Sequence, residues 1–333
     1  MVGNFHTILS MKALLTGGTG FIGSHLAEFL LDEGAEVFAL VRDPHNLKWL
    51  KGLNIHLLKG NLLSIPALPP DIDYVFHVAG LTNSSNMADY YTVNQHGTAS
   101  LFKSLHGQEI LPKKIVCLSS LAAVGPSFDG KPVQESDVPR PITPYGKSKL
   151  MGEVEALKFK EVYPIVILRA PGVIGPRDKD FLHYFRWIKK GALPAIGSKQ
   201  RYMSVCYVKD LIRAFYICSQ KELKSGEIFN IGDPNPCSYD EFGEMAALAI
   251  GRKLRKVKIP ISVGYLVALI ADVAGKISKK PGILNLDKFK QMKQRGWIAD
   301  MRKATEELSF QPQYSLQEAI QETINWYLKH NWL

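Results

Sequence analysis

From residue 12 to about residue 170, short apolar runs rich in β-branched residues alternate with longer segments of helical period. The runs are KALLT (12–16), EVFALV (36–41), NIHLL (54–58), YVFHVAG (74–80), KIVCLSS (114–120) and PIVILRA (164–170). Continuous apolar strands of this kind are buried on both faces, and the helix-length spacers leave room for crossover connections. The pattern therefore predicts a doubly wound α/β fold built on a parallel sheet. Beyond residue 170 the alternation breaks at Gly172, Gly175, Pro176, Gly191, Pro194 and Gly197, where a smaller lobe is expected to begin. Residues 201–218 and 226–233 read as a helix and a strand returning to the sheet, and 236–333 reads as mostly helical. The expected division is a nucleotide-binding domain of 11–170 with 201–232, and a substrate lobe of 171–200 with 233–333.

Composition narrows the class without choosing a function. The chain is 46% hydrophobic and 22% charged, which excludes disordered, collagenous and disulfide-framework proteins. Lys and Arg number 41 against 31 Asp and Glu, a net charge of +10 spread along the chain without a dense basic arm. Weak anion binding follows; a nucleic-acid partner is not called for. Cys117, Cys206, Cys218 and Cys237 form no CxxC pair and have no histidines at ligand spacing, so no metal is expected and a reducing compartment fits. The opening MVGNFHTILS has neither a basic segment nor an apolar run suited to secretion, so a cytoplasmic location is expected. Met11 opens the first strand, and residues 1–10 read as an extension that adds nothing to the fold.

Thr16-Gly17-Gly18-Thr19-Gly20-Phe21-Ile22-Gly23 follows the first strand and opens a helical pattern. Glycines at 17, 20 and 23 allow a tight turn, close backbone approach to a pyrophosphate and close packing of helix on strand, with the helix amino terminus facing the anion. The second strand ends at Val41 and is followed by Arg42-Asp43-Pro44. An NAD enzyme is expected to carry a carboxylate at this tip, whereas Arg42 suits a 2′-phosphate and can stack on adenine. NADP is therefore expected, with NAD left open. Asp43 argues the other way unless it faces the turn, and Lys48 offers a second, weaker phosphate contact.

TGGTGFIG, HVAG (77–80), TVNQHGTASLF (92–102), VCLSS (116–120), YGKSK (145–149) and LRAPGVIGPR (168–177) fall in order along nearly the whole chain. In this the sequence resembles the extended short-chain dehydrogenase/reductase family and its epimerase/dehydratase members. VRDPHNLK is most similar to the dihydroflavonol-reductase branch, and SSLAAVGPS also occurs in steroid-dehydrogenase-like members. The resemblance implies a Rossmann fold and a catalytic set of Ser120, Tyr145 and Lys149, with Asn94 supporting the lysine through backbone and water. It further implies cofactor contacts at Asn61, Leu62, Ala79, Gly80, Ser119, Pro171 and Val173, with Leu121 beside the substrate. Where the family often has Asp, this chain has Asn61.

The chemistry can also be argued from the residues. Tyr145 and Lys149 share one helix face, so the ammonium can favour the phenolate by direct charge. An unperturbed tyrosine titrates near ~10, and each unit of depression takes about 1.4 kcal/mol. Ser120, at the end of its strand, can hold a substrate oxygen while Tyr145 moves the proton. Ser119 competes with Ser120 for that part. A Tyr–Lys pair alone is ordinarily a helix-surface pair, and the upstream motifs make it more than that.

Two features bear on substrate. No acidic pair follows Ser120, where the dehydratases carry one, and no asparagine follows Arg169, where many sugar epimerases do. The expectation is NADP-dependent oxidoreduction of a small, relatively apolar ketone or secondary alcohol. The alternative is a nucleotide-sugar epimerase that retains its cofactor, with Arg177 and Arg201 for the diphosphate; a further one is a non-catalytic NADP sensor. Residues 252–258 are basic and 259–275 mostly apolar, too short and interrupted to span a bilayer. They read as a cover for the substrate pocket, with peripheral membrane contact as the sharper alternative. A homodimer is left open.

Overall fold

The computed structural model describes residues 11–197, 199–278 and 286–333; the extension read at 1–10 lies outside them. Strands β1 (Lys12–Thr16), β2 (Glu36–Val41), β3 (His56–Lys59), β4 (Tyr74–His77), β5 (Lys114–Ser120) and β6 (Ile165–Ala170) come first. Short strands β7 (Gly172–Ile174), β8 (Ala192–Ile196), β9 (Tyr202–Met203) and β10 (Val205–Tyr207) follow, then β11 (Glu227–Asn230). The main sheet is seven-stranded and parallel, in the order β11-β6-β5-β4-β1-β2-β3. The chain reverses direction across the sheet between β1 and β4, and the crevice beyond their carboxyl ends is where a doubly wound sheet binds ligand.

Alternate strand residues feed two cores, as the pleat requires. Leu15, Phe76 and Val116 pack on one face with Leu26 and Phe215, while Leu14, Val75 and Ile115 pack on the other with Leu101 and Phe102. The pattern of full burial breaks at β3. His56 and Leu57 are exposed there, because the strand lies on the sheet edge and has a neighbour only in β2.

The flanking helices are α1 (Phe21–Asp32), α2 (Met87–Tyr90), α3 (Gly97–Gly107), α4 (Pro144–Leu157), α5 (Leu182–Lys189) and α6 (Val208–Gln220). Tyr91–His96 is a π-helical stretch joining α2 to α3. The carboxyl-terminal region adds α7 (Tyr239–Ile250), α8 (Ile261–Ser278), α9 (Leu286–Met292), α10 (Arg302–Leu308) and α11 (Leu316–Lys329). It is less uniformly helical than its sequence suggests. β12 (Cys237–Ser238) and β14 (Gly296–Trp297) flank β9, and β13 (Arg255–Ile259) pairs with β8. Their side chains are too few, or too polar, to produce a two-residue period.

One ion pair sits inside the fold. Arg169 on β6 meets Glu153 on α4 through both carboxylate oxygens, Nε at 3.0 Å and Nη2 at 2.7 Å, and both residues are buried. Ser119 on β5 donates to the same carboxylate at 2.5 Å, so α4 is clamped to two strands at once. Removing the acid would leave a desolvated guanidinium with no counter-charge. Glu153→Ala is expected to destabilise the protein by about 3–5 kcal/mol, more than a typical surface ion pair contributes. Urea unfolding of the variant measures it; a change within about 0.5 kcal/mol would mean the pair is not holding the helix.

Candidate active site

The turn between β1 and α1 is built by steric necessity. Gly17 has φ +79°, and a Cβ there would stand 2.6 Å from the Ala79 nitrogen, while one on Gly23 would stand 2.2 Å from the Gly17 carbonyl oxygen. Only glycine permits this approach of β1, α1 and the segment after β4. Gly20 caps α1 without a side-chain hydrogen bond, and no acidic residue occupies the first turn. The free N–H groups of Phe21, Ile22 and Gly23 are thus unopposed by negative charge, which fits the pyrophosphate of a dinucleotide. Ala79 lies against Gly17; Thr19 and Gly20 complete the turn.

At the β2 tip, Arg42 is exposed and has no hydrogen-bond or ion-pair partner among the described residues. Asp43 does face its own turn: its Oδ1 accepts the His45 amide at 2.9 Å. Lys48 is exposed with φ +52°. Asn61 Oδ1 accepts the amides of Leu63 and Ser64 at 2.9 and 3.1 Å, which fixes the turn it sits in. Leu62 packs towards Gly97 at the start of α3. Pro171 and Val173 lie just past β6, Val173 in the β7–β10 pairing.

The helix that carries Tyr145 and Lys149 is placed by its own glycines. Thr143 caps α4 by accepting the Gly146 amide at 3.1 Å, and Pro144 sits in the first turn, where its missing N–H is harmless. A Cβ on Gly146 would stand 2.3 Å from the Ala122 oxygen, and one on Gly152 2.4 Å from the Asn94 oxygen. The helix therefore rests backbone to backbone on the turn after β5 and on the π-helical stretch. That contact brings the Tyr145 side chain to the Ser120 side of the turn after β5. The Ser120 hydroxyl also accepts the Ala122 amide at 3.1 Å. Tyr90 flanks the Tyr145 ring at 6.0 Å between centroids.

Electrostatics differ from the expectation drawn from spacing. Burial pushes the Tyr145 phenol up to about 12, with the Ser120 hydrogen bond working the other way. Lys149 is on the same helix, but its ammonium donates to the Leu118 carbonyl at 2.6 Å, and no charge effect of Lys149 on Tyr145 emerges. Desolvation wins over direct charge in this arrangement. Lys149 itself is pulled down to about 8 by burial, against the opposing charge of Glu153.

Other expected positions are reassigned by their contacts. Ser119 is engaged by Glu153 on the opposite side of β5 from Ser120, so its side chain is not a cofactor contact. Leu121 is turned inward with Val124, Val133, Ala299 and Met301 and does not serve as a substrate contact. Arg177 is bound to Ser24 and Glu28 of α1 and lies over Trp49 at 5.0 Å, which removes it from diphosphate binding. Asn94 makes no direct side-chain hydrogen bond to Lys149 among the described residues. Its side chain exchanges bonds with both backbone groups of Leu81 and donates to Ser148 at 2.9 Å, while its carbonyl accepts Thr98 Oγ1.

Sequence reasoning missed a buried relay. Thr98 Oγ1 gives its proton to the Asn94 carbonyl at 2.8 Å, so it accepts from His77 Nε2 at 2.9 Å. His77 Nδ1 then accepts from Thr16 Oγ1 at 2.8 Å, and Thr16 Oγ1 accepts the Ala79 amide at 3.3 Å. Burial holds His77 down to about 3, hence neutral with one defined tautomer. The available signal was a histidine in an otherwise apolar strand run.

Lys149 yields a pH-dependent expectation. Its folded value lies below the ordinary 10.5, so the unfolded chain binds the proton more strongly, and stability rises with pH between about 8 and 10.5. Lys149→Met removes the buried charge. It should be more stable than the parent by about 1–3 kcal/mol near neutral pH. The advantage should shrink across that window, while turnover falls by about 10²-fold or more. Thermal melts across the window check this; a variant less stable than the parent at neutral pH would refute the desolvation argument.

Comparison with known proteins gives the family. Residues 13–232 match the family model described as NAD dependent epimerase/dehydratase family. A Bacillus subtilis protein, the uncharacterized UDP-glucose epimerase YtcB, is 29% identical over 94% of this chain and 97% of its own length. The ceramide reductase of Caulobacter vibrioides is 24% identical over 96% of this chain and 95% of its own. The crystal structure of UDP-glucuronic acid 4-epimerase from Bacillus cereus in complex with NAD superposes with a TM-score of 0.76 at 25% identity, covering 97% of this chain and 100% of that one. With its glycine turn, Rossmann sheet and Ser-Tyr-Lys set, the chain belongs to the NAD dependent epimerase/dehydratase family of enzymes.

Proposed function

We propose that the protein epimerises a carbinol centre of a nucleotide-diphosphate sugar, its dinucleotide remaining bound between oxidation and re-reduction. Arg201 carries this reading on the structural side. Its guanidinium is half-buried, lowered by that burial, and has no hydrogen-bond or ion-pair partner among the described residues. A cation taken that far out of water with Asp240 acting on it only by charge and no direct ion pair is matched to a multiply charged anion such as a diphosphate. The epimerases among the similar proteins support the same class, and they favour it over the net ketone reduction expected from sequence.

The bound dinucleotide would supply the acceptor and donor of hydride. Gly17 to Gly23 would hold its pyrophosphate, Arg42 its adenosine end, and Ala79 and Gly80 would line it. Ser120 would hold the substrate oxygen beside Tyr145, whose phenolate form would take the alcohol proton during oxidation and whose phenol form would return it during re-reduction. Burial keeps the proton on Tyr145, which suits the returning step. Arg42 also leaves room for a 2′-phosphate, so NADP stands beside NAD.

A net reductase is the second reading, favoured by one observation. The segment after β6 carries no asparagine, and a Cβ on Gly172 there would stand 2.9 Å from Phe181 Cζ, so an apolar ring borders that segment.

Stoichiometry separates the two. An epimerase converts UDP-glucose or a related sugar with catalytic amounts of dinucleotide and no sustained change in reduced-nicotinamide absorbance, whereas one reduced cofactor consumed per alcohol would establish the reductase. Arg201→Gln should raise the KM for the nucleotide sugar by about 10-fold or more, from loss of a charge-assisted contact of about 1.5–3 kcal/mol, with kcat much less affected. Tyr145→Phe should lower kcat by about 10²–10⁴-fold while dinucleotide affinity stays near that of the parent. Arg42→Ala should weaken NADP by about 1.5–3 kcal/mol and leave NAD nearly unchanged, read by direct titration.

A further inference from the structure

Helix α8 is amphipathic in the reverse sense. The positions that face the protein are Gly264, Ala268 and Gly275, all buried, while Val263, Leu266, Val267, Ile270, Val273 and Ile277 are exposed. These six recur at helical spacing and fall on one side of the helix. Among the described residues, nine of the twenty-two exposed large hydrophobics lie on this helix. Scattered exposed hydrophobics are ordinary on a soluble protein, but a continuous face of them marks a contact surface.

The chain leading into α8 supplies the complementary feature. Arg252, Lys253, Arg255 and Lys258 are exposed, and none has an ion-pair partner among the described residues; Lys256 alone is paired, with Asp240. An apolar helical face, with unpaired cations along the strand that leads into it, forms the pattern of a helix lying in a lipid interface. The helix is 18 residues long, and no helix among the described residues is long and apolar enough to cross a membrane.

We propose that the face of α8, with the cations of 252–258, docks the protein on an anionic phospholipid surface. A protein partner fits less well, because protein interfaces carry about one hydrogen bond per 100–200 Å² and this face offers almost no side chain to make one. Cations that attract anionic headgroups are likewise a poor match for a second copy of a chain with net charge +10. The helix packs on α9 through Ala268, Phe289 and the Tyr265 ring. From α9, Gln291 reaches the hydroxyl of Thr143, the cap of the catalytic helix, at 3.4 Å. Docking would therefore bring the Tyr145 side of the enzyme close to the bilayer. The proposal is independent of the substrate reading and is tested without turnover.

The full chain is floated with vesicles of phosphatidylcholine alone or with phosphatidylglycerol added. Flotation is expected with the anionic vesicles at low salt, and little with neutral ones or at high salt, where screening removes the attraction. Arg255→Glu with Lys258→Glu should reduce partitioning by about tenfold or more. Leu266→Glu with Ile270→Glu should abolish it. Light scattering of the parent and the helix variant reads the other occupant: a mass that halves on substitution assigns the face to a second copy and overturns the proposal. Absence of flotation with anionic vesicles at low salt overturns it as well, as does flotation unaffected by the charge reversals. Should the helix variant fail to fold, the charge reversals and the salt series decide.

Discussion

A histidine held neutral in the interior joins the two halves of this active site. His77, at the end of β4, links Thr16 beneath the glycine turn to Thr98 at the head of α3, and through it to the carbonyl of Asn94. Asn94 in turn fixes the segment after β4 through Leu81 and the catalytic helix through Ser148. Every donor in the series has one acceptor, so the cofactor turn, the loop beside it and the helix carrying Tyr145 are referenced to one another by directed bonds. Buried networks of this kind specify position when all members are satisfied, and a second proton on the imidazole would leave two donors competing where one acceptor is needed. Its depression to about 3 places that event far below neutral pH, at a free energy on the order of several kcal/mol.

Around that reference frame, close backbone contact and desolvation set the chemistry. Glycines at 146 and 152 let α4 touch the chain segments it must be registered against, and the same proximity crowds Tyr145 and Lys149, which are left only partly exposed. The enzyme therefore holds a phenol that keeps its proton and an ammonium that gives its proton up more readily than in water. Ser119 and Ser120 show how finely a strand divides roles: adjacent residues on opposite faces, one tied into the Arg169–Glu153 pair that anchors the helix, the other turned to the reacting hydroxyl.

The sheet and the glycine turn were legible in sequence because both rest on local rules: apolar runs of strand length, and glycines where a Cβ cannot fit. The meeting of Ser120, Tyr145 and Lys149 was legible through motif spacing, yet the sign of the tyrosine shift was not. That sign depends on burial and on the Leu118 carbonyl, a partner outside the motif. Leu121 and Arg177 illustrate the same limit. A residue beside a catalytic serine or after a glycine-rich strand reads as a ligand contact, but a turn of 3₁₀ helix sends one into a core and an acid on α1 captures the other. β12 and β14 owe their pairing to β9, a neighbour distant in sequence, which no local pattern records.

The π-helical stretch Tyr91–His96 makes this region unusually sensitive to the length of the gene. A wide turn houses one more residue than an α-helix uses over the same rise, and it is this surplus that lets Asn94 face Leu81 while α3 continues in its own register. Loss of a single codon here would let the helix close to ordinary geometry and rotate everything on one side of the deletion by about 100°. The amide of Asn94 would swing off the loop although no conserved-looking side chain had been altered. Substitutions across these six positions are thus a gentler form of variation than a one-residue shortening, and drift in this family member should run through exchanges of residues and avoid changes in their number.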